Sequence, residues 1–304
     1  MSPESRRRRT QGSRVALLAV VALAAAIVFG VLLLVDGDDD PAPGEFAADP
    51  GVSHVHGLGI NPADGSLIVA THYGSFRIPR GSGDAERIGD SFQDTMGFTV
   101  AGPDHFLGSG HPDVPGFQAG QPTRLGLIES LDAGATWTIL SLGDEVDFHA
   151  LAYIHDQVYG WDSGTGRFMV STDRTTWDTR STLDLYGFAV DPDDPDLIVA
   201  GTPEGLRTST DGGGTWTDTD GPQLVALSWD PGVGLWGADS GGNIWRPDGA
   251  DWNRAGGMPG APQAFLVTPD ALYAAAHDNT QRTGIYRSTD NGRTWDLIYQ
   301  APTQ

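Results

Sequence analysis

Apolar positions along the chain follow two different patterns. Residues 15–35 form one uncharged run, preceded by Arg6, Arg7, Arg8, Arg9 and Arg14 and followed at once by Asp36, Asp38, Asp39 and Asp40. As a helix this run would measure roughly 31 Å, about the hydrocarbon thickness of a bilayer. It predicts one N-terminal transmembrane helix whose basic side stays cytoplasmic. A cleaved signal peptide has a shorter apolar core, about 7–15 residues, so an uncleaved anchor is the expectation. From residue 52 onward the apolar residues come instead in short stretches bounded by Gly, Pro, Asp and Asn, such as SLIVATHYG, QVYGWDSG, DLIVAGTPEG and ALYAAAHDN. Short apolar runs between turn residues predict buried strands.

The strands belong to a repeat. SLDAGATW ending at Trp137 recurs as STDRTTW ending at Trp177, STDGGGTW ending at Trp216 and STDNGRTW ending at Trp295, with a degenerate copy ending at Trp252. The pattern is S-x-D-x-G-x-T-W, with Thr175 in the place of the Gly in the second copy. Asp can bond backbone N–H groups two residues on, and Gly supplies the positive φ of a tight turn; Thr and Trp then start the next strand. Cutting in register gives six units, beginning near His54, Thr95, Phe148, Tyr186, Leu224 and Gln263. Six units of this length predict an all-β fold, a six-bladed β-propeller of four-stranded blades. The expected organisation is a cytoplasmic basic segment (1–14), a transmembrane anchor (15–35), an acidic Pro-containing tether (36–51) and the propeller (52–304).

Composition narrows the function classes. Forty acidic residues stand against 18 basic ones, all Arg, for a net charge of −22. Such a surface repels phosphate backbones, so no nucleic-acid partner is expected. The chain has no Cys, which removes disulfides, thiolate metal sites and thiol nucleophiles.

The repeat resembles the Asp-box (BNR) repeat of sialidases, sortilin-type receptors and photosystem assembly factors, all β-propellers. The resemblance implies a structural role for the boxes, away from any active site. Across the propeller, HVHGLGINP, ATHYG, QDTMGF, GSGHPD and DFHAL resemble a family of bacterial surface proteins labelled glycosyl hydrolase-like or exo-sialidase-like, with no established activity. The sialidase FRIP segment has a match at Phe76, Arg77, Ile78 and Pro79. Here it falls on a third strand, after SLIVATHYG, so it reads as a chance match.

In a propeller, the starts of the innermost strands and the ends of the second strands line one mouth of the central channel. These places carry His54, His56, Gln93, Asp94, Met96, Asp147, His149 and Tyr186, then His72, His111 with Asp113, Asp162, Glu204, Asp239, and His277 with Asp278. Six of the eight His therefore share one face, and His105 and His155 fall on the other. His54 and His56, two apart on a strand, point the same way, a common way to offer two imidazoles to one ion. His54, His56, His72, His111 and His149 are the candidate ligands for a divalent metal (Zn, Cu, Mn or Fe) bound through nitrogen and oxygen. Asp94, Asp113, Asp162, Tyr186 and His277 are the candidate contacts to a small ligand or glycan. One alternative is a sialidase-like glycoside hydrolase using two carboxylates among Asp94, Asp113, Asp162, Glu204 and Asp239. Another is a scaffold that docks a surface protein through the loop 111–124 around Val114, Pro115 and Phe117.

Overall fold

A computed structural model of the chain describes residues 49–302 apart from 250 and 279. The expected cytoplasmic segment, the transmembrane run and all but the end of the tether lie outside the described residues. Among the described residues no helix is long and apolar enough to cross a membrane.

Six four-stranded antiparallel sheets follow one another along the chain, each built in simple sequence order. Blade 1 holds β1 (Val55–Ile60), β2 (Leu67–Thr71), β3 (Gly74–Ile78) and β4 (Glu86–Ile88). Blade 2 holds β5 (Asp94–Gly102), β6 (His105–His111), β7 (Leu127–Ser130) and β8 (Thr138–Ser141), with the short helix α1 (Val114–Gln118) between β6 and β7. Blade 3 holds β9 (Phe148–Ile154), β10 (Gln157–Asp162), β11 (Arg167–Ser171) and β12 (Asp178–Thr182). Blade 4 holds β13 (Gly187–Val190), β14 (Leu197–Thr202), β15 (Gly205–Thr210) and β16 (Thr217–Thr219). Blade 5 holds β17 (Leu224–Asp230), β18 (Gly234–Asp239), β19 (Asn243–Asp248) and β20 (Asp251–Gly257). Blade 6 holds β21 (Ala261–Val267), β22 (Leu272–His277), β23 (Thr283–Ser288) and β24 (Asp296–Gln300). The innermost strands neighbour one another in turn, and β21 meets β1, so the sheets close into the six-bladed β-propeller the repeat predicts.

The core is six separate seams, one between each pair of blades. Ile68 and Ala70 of blade 1 pack on Phe98, Phe106 and Trp137 of blade 2. Tyr159 and Phe168 of blade 3 pack on Phe188, Ile198 and Trp216 of blade 4. Trp177, Trp252 and Trp295 fill the corresponding seams on blades 3, 5 and 6. Each indole covers enough apolar area to stabilise its seam by a few kcal/mol. Several are also pinned by their N–H: Trp177 Nε1 donates to Ser141 Oγ, Trp216 Nε1 to Ser181 Oγ and Trp295 Nε1 to the Gly257 carbonyl, each on the preceding blade.

What aims the Trp is the turn before it. In three copies the Ser hydroxyl donates to the Asp carboxylate and accepts from the Gly N–H (Ser130 from Gly134, Ser209 from Gly213, Ser288 from Gly292). The Asp also accepts from the N–H and hydroxyl of the Thr four residues on. Two successive residues take positive φ, as in Gly212 and Gly213 or Asn291 and Gly292. The second copy corrects the sequence reading. Thr175 does not replace the Gly, because this copy is one residue shorter. Arg174 takes the single left-handed position (φ 66°), and its N–H reaches Ser171 Oγ three residues back instead of four. Its guanidinium then ties Glu129 of blade 2 to the Tyr153 hydroxyl of blade 3.

Two outcomes follow from these turns. Gly213 has φ 87°, and a Cβ there would lie 2.4 Å from the Phe168 ring. Gly213→Ala should therefore lower the unfolding free energy by about 2–3 kcal/mol, from left-handed strain plus overpacking, read by urea denaturation. Hydrogen bonds from Thr215 hold Asp211 down to about 2, and those from Thr294 do the same for Asp290. A carboxyl depressed on folding stabilises above its unfolded pKa, near 4, and that contribution is lost as pH falls toward 2. Thermal midpoints should drop through that window, and Asp211→Asn/Asp290→Asn should flatten the drop while lowering the midpoint at pH 7.

Candidate functional site

Strand irregularities build the channel mouth. Five of the innermost strands break register close to their mouth end: β1 between Val55 and Gly57, β5 between Thr95 and Phe98, β9 opposite Trp161/Asp162, β17 between Leu224 and Ala226, and β21 between Pro262 and Ala264. The residues skipped by pairing include His56, Met96, His149 and Gln263, all of which line the mouth cavity. A bulge turns a side chain off the strand's alternation, and at these four positions the side chain lines the mouth. The cavity measures about 550 Å³, and His54, Trp161, Tyr186 and His277 also line it. Below it, the channel between the innermost strands encloses about 390 Å³. Gly57 and Gly59 let β1 sit close to β5, since a Cβ would meet Phe98 at 2.9 Å and Val100 at 2.6 Å respectively.

Blade 1 and the first residue of β5 make the tightest cluster. Asp94 Oδ2 lies 2.8 Å from His72 Nδ1, and Asp94 Oδ1 lies 3.2 Å from His56 Nε2. Burial alone would raise the Asp94 pKa, but the two imidazoles outweigh it and bring the carboxyl down to about 2. His56 Nε2 and Asp94 Oδ1 are nonetheless both buried without an aligned hydrogen bond. One ligand atom from each of His56, His72 and Asp94 falls within 4.8 Å of the others. His54, at φ 39°, holds its ring tilted 4.8 Å from that of His56 and edge-on 6.4 Å from that of His277. Although its edge meets solvent, the atoms packed round it desolvate the ring. Together with the neighbouring imidazoles they push His54 down to about 4, leaving it neutral. His277 Nε2 is 2.7 Å from Gln263 Nε2, and desolvation lowers its pKa too.

A second cluster follows on blades 2 and 3. Asp147 Oδ2 lies 2.9 Å from His149 Nε2 and 3.5 Å from His111 Nε2. The Asp147 bond, opposed by burial, raises His111 to about 9, with help from the Thr123 carbonyl 2.7 Å from His111 Nδ1. Burial pushes Asp147 up, yet the two His hold it well below the usual carboxylate range. The five His assigned to one ion are therefore divided: His56 and His72 meet at Asp94, His54 lies beside His56 with its ring tilted, and His111 and His149 meet at Asp147.

Of the expected ligand contacts, Tyr186 and His277 line the mouth and Asp94 sits in its first cluster. Asp113 and Asp162 do not have free carboxylates. Asp113 caps α1, accepting from the Gly116 N–H with one oxygen and from Ser91 and the Phe92 N–H with the other. Asp162 accepts from the Asp147 and Gly164 N–H groups and from Thr165 and Arg167. Both are turn-forming acids whose acceptor sites are used locally. Asp239 is held the same way by Gly241, Asn243 and Trp245, and Glu204 bonds Thr202. Arg77 of the FRIP segment is an exposed β3 residue paired with Glu86 at 2.6 Å. His105 pairs with Glu129 and His155 with the Asp191 carbonyl, both in contacts away from the mouth cavity. In the loop 111–124, Phe117 on α1 is exposed. Sequence reasoning assigned no role to Asp147 or Gln263, and the signal for both lay in their positions at the starts of innermost strands.

No family model matches the chain. A xyloglucanase of a Paenibacillus species is 26% identical over 198 residues, which is 48% of this chain and 19% of that enzyme. The GH74 xyloglucanase of Xanthomonas campestris has a TM-score of 0.54 at 18% identity, over 82% of this chain and 46% of that one. A chain of the nidogen/laminin complex gives 0.58 at 14% identity, over 79% of this chain and 99% of that one. The chain thus spans less than half the length of the two xyloglucanases, and its likeness to the solved structures, all under 25% identical, supports the all-β propeller fold that its own six sheets show.

Proposed function

We propose that this propeller binds one divalent transition-metal ion at the channel mouth through His56, His72 and Asp94, leaving coordination positions open to a small ligand in the cavity. The observation that carries this is the pair of buried, misaligned atoms, His56 Nε2 and Asp94 Oδ1, 3.2 Å apart with His72 alongside. Bonds of about 2.0 Å at tetrahedral angles put neighbouring ligand atoms roughly 3.3 Å apart, so an ion could satisfy both atoms where a hydrogen bond does not. Two imidazoles and one ionised carboxylate suit Zn, Cu, Mn or Fe. The acidic surface raises the local cation concentration. In the same reading residues 15–35 anchor the chain in the cell membrane, with the propeller outside.

The xyloglucanase relative favours a second reading, hydrolysis of a glycan at this face. That chemistry needs two available carboxyls. Among the described acids weighed for it, Asp113, Asp162 and Asp239 spend their oxygens on local turns. Asp94 and Glu204 are what remains, so this reading ranks below the first.

The full chain, purified without a tag and freed of metal, should take up Zn²⁺ or Co²⁺ in equilibrium dialysis with elemental analysis. His56→Ala/His72→Ala should remove one equivalent. A wild-type uptake unchanged by that pair, for every ion offered, would overturn the metal reading. Reducing-sugar release from xyloglucan is expected to be undetectable. Release that falls at least 100-fold in Asp94→Asn or Glu204→Gln would put the hydrolase reading first.

A further inference from the structure

Blade 5 departs from the repeat, and the departure leaves an opening. Three of the repeat tryptophans close their seams by donating Nε1 to the preceding blade, Trp177 to Ser141, Trp216 to Ser181 and Trp295 to Gly257. Trp252 instead follows a short hairpin in which Asp248 and Asp251 face each other, and its Nε1 has no partner among the described residues. Beside this indole a cavity of about 230 Å³ is lined by Asp220, Gly221, Pro222, Trp245, Asp251 and Trp252. It is separate from the channel and its mouth, which none of these residues lines.

Strand register brings the two indoles together. Trp252 pairs with Pro247 across β19 and β20, and Trp245 stands two residues before Pro247. They are therefore diagonal neighbours on one face of blade 5, the face that packs on Leu206 of blade 4. Trp245 Nε1 donates to Asp239 Oδ2 at 2.9 Å, which fixes that ring. Gly221 lets the loop between β16 and β17 approach the other, since a Cβ there would lie 2.7 Å from Trp252 Nε1. Asp220 and Asp251 are exposed, and among the described residues neither carboxylate has a hydrogen bond or an ion pair. Arg254, opposite Trp245, extends toward Gly257 and does not line the cavity. The lining thus holds two indoles and two uncompensated carboxylates, with no cationic side chain.

From this set of groups we infer a binding site for a small quaternary ammonium cation. The electron-rich face of an indole attracts a cation, Trp more strongly than Tyr or Phe, and the attraction grows as water is excluded. The two carboxylates add long-range attraction on an already acidic surface. A metal ion or a primary ammonium is strongly hydrated and would stay with the Asp oxygens. A methylated ammonium loses little hydration and can bury its methyl groups between the rings. The same carboxylates repel any ligand whose ammonium sits beside a carboxylate or phosphate of its own, so the preferred ligand is choline-like, with an otherwise uncharged skeleton.

The test titrates the metal-free full chain with choline, with its neutral isostere carrying carbon in place of nitrogen, and with glycine betaine. Heteronuclear NMR follows the indole N–H resonances, each assigned by the peak lost in a Trp→Phe variant. Choline should move the Trp245 and Trp252 resonances saturably, and the isostere and betaine should each bind about 10-fold more weakly. Asp220→Asn/Asp251→Asn should weaken choline by about the same factor and leave the isostere unchanged. Trp245→Leu should remove the response at Trp252. The Asp pair is exposed, so its variant covers the case in which Trp245→Leu does not fold; the dispersion of the remaining indole peaks reports folding. Equal affinity for choline and the isostere would reduce the cavity to an apolar slot and overturn the inference. No movement at Trp245 and Trp252 overturns it as well. Movement at Trp161 alone would put the cation in the channel mouth and overturn this site.

Discussion

The hydrogen bond from a turn glycine N–H to a serine hydroxyl four residues back is the constraint on which this propeller rests. It closes the S-x-D-x-G-x-T-W turn in three copies, with Ser130, Ser209 and Ser288 as acceptors. The closed turn delivers the Trp into the seam against the preceding blade. Blades make few backbone bonds to one another, so ring closure depends on such side-chain seams. The second copy shows how little tolerance there is. With one residue missing, a non-glycine side chain, Arg174, must occupy the left-handed position. The fold compensates with an ion pair to Glu129 and a bond to Tyr153 across the same seam.

The opposite end of the channel is freed from that constraint and shows it. Register breaks in β1, β5, β9 and β21 expose His56, Met96, His149 and Gln263 to the mouth. Two buried carboxylates then organise four imidazoles. Burying an ionised carboxylate costs several kcal/mol unless cationic or hydrogen-bonded partners offset it. Asp94 and Asp147 each retain one oxygen without a bond, an arrangement that packing alone gives no reason to keep.

Blade number, strand order and the sidedness of the histidines were legible in the sequence because each follows from a period. The Trp spacing set the unit, and the starts of innermost strands and ends of second strands set the face. What escaped was whatever departs from a period. STDRTTW has seven residues where the other copies have eight, but matching it to the motif by residue type put Thr175 in the glycine's place and left unread which residue takes the left-handed position. Position at the start of an innermost strand placed His56 and His149 at the mouth, but the bulges that turn them into it are not visible in a two-residue alternation. The misassigned acids have the same origin: Asp113 and Asp162 stand at mouth positions, but an Asp beside Gly or Pro is as suited to a turn as to a ligand, and only the bonds to Gly116 and Gly164 decide between the two. Division of the five histidines between two carboxylates required knowing which inner-strand Asp each second-strand end faces.

One seam lacks a tryptophan, and it is the one that joins the chain's first blade to its last. There Val52, Val55 and Phe76 pack with Ala264, Ala275, Ile285 and Tyr299. Just before them Asp49 pairs with Arg87, whose guanidinium lies 4.5 Å from the Phe76 ring centre and 4.1 Å from that of Phe92. The blades here are contiguous, with no strand borrowed from the other end of the chain, so side-chain packing and β1 against β21 hold the ring shut. β1 is also the strand that begins at Val55, between His54 and His56. The same few residues therefore close the propeller and set the first cluster at its mouth, so loosening the Asp49–Arg87 clamp would disturb the site before it disturbed the other five seams.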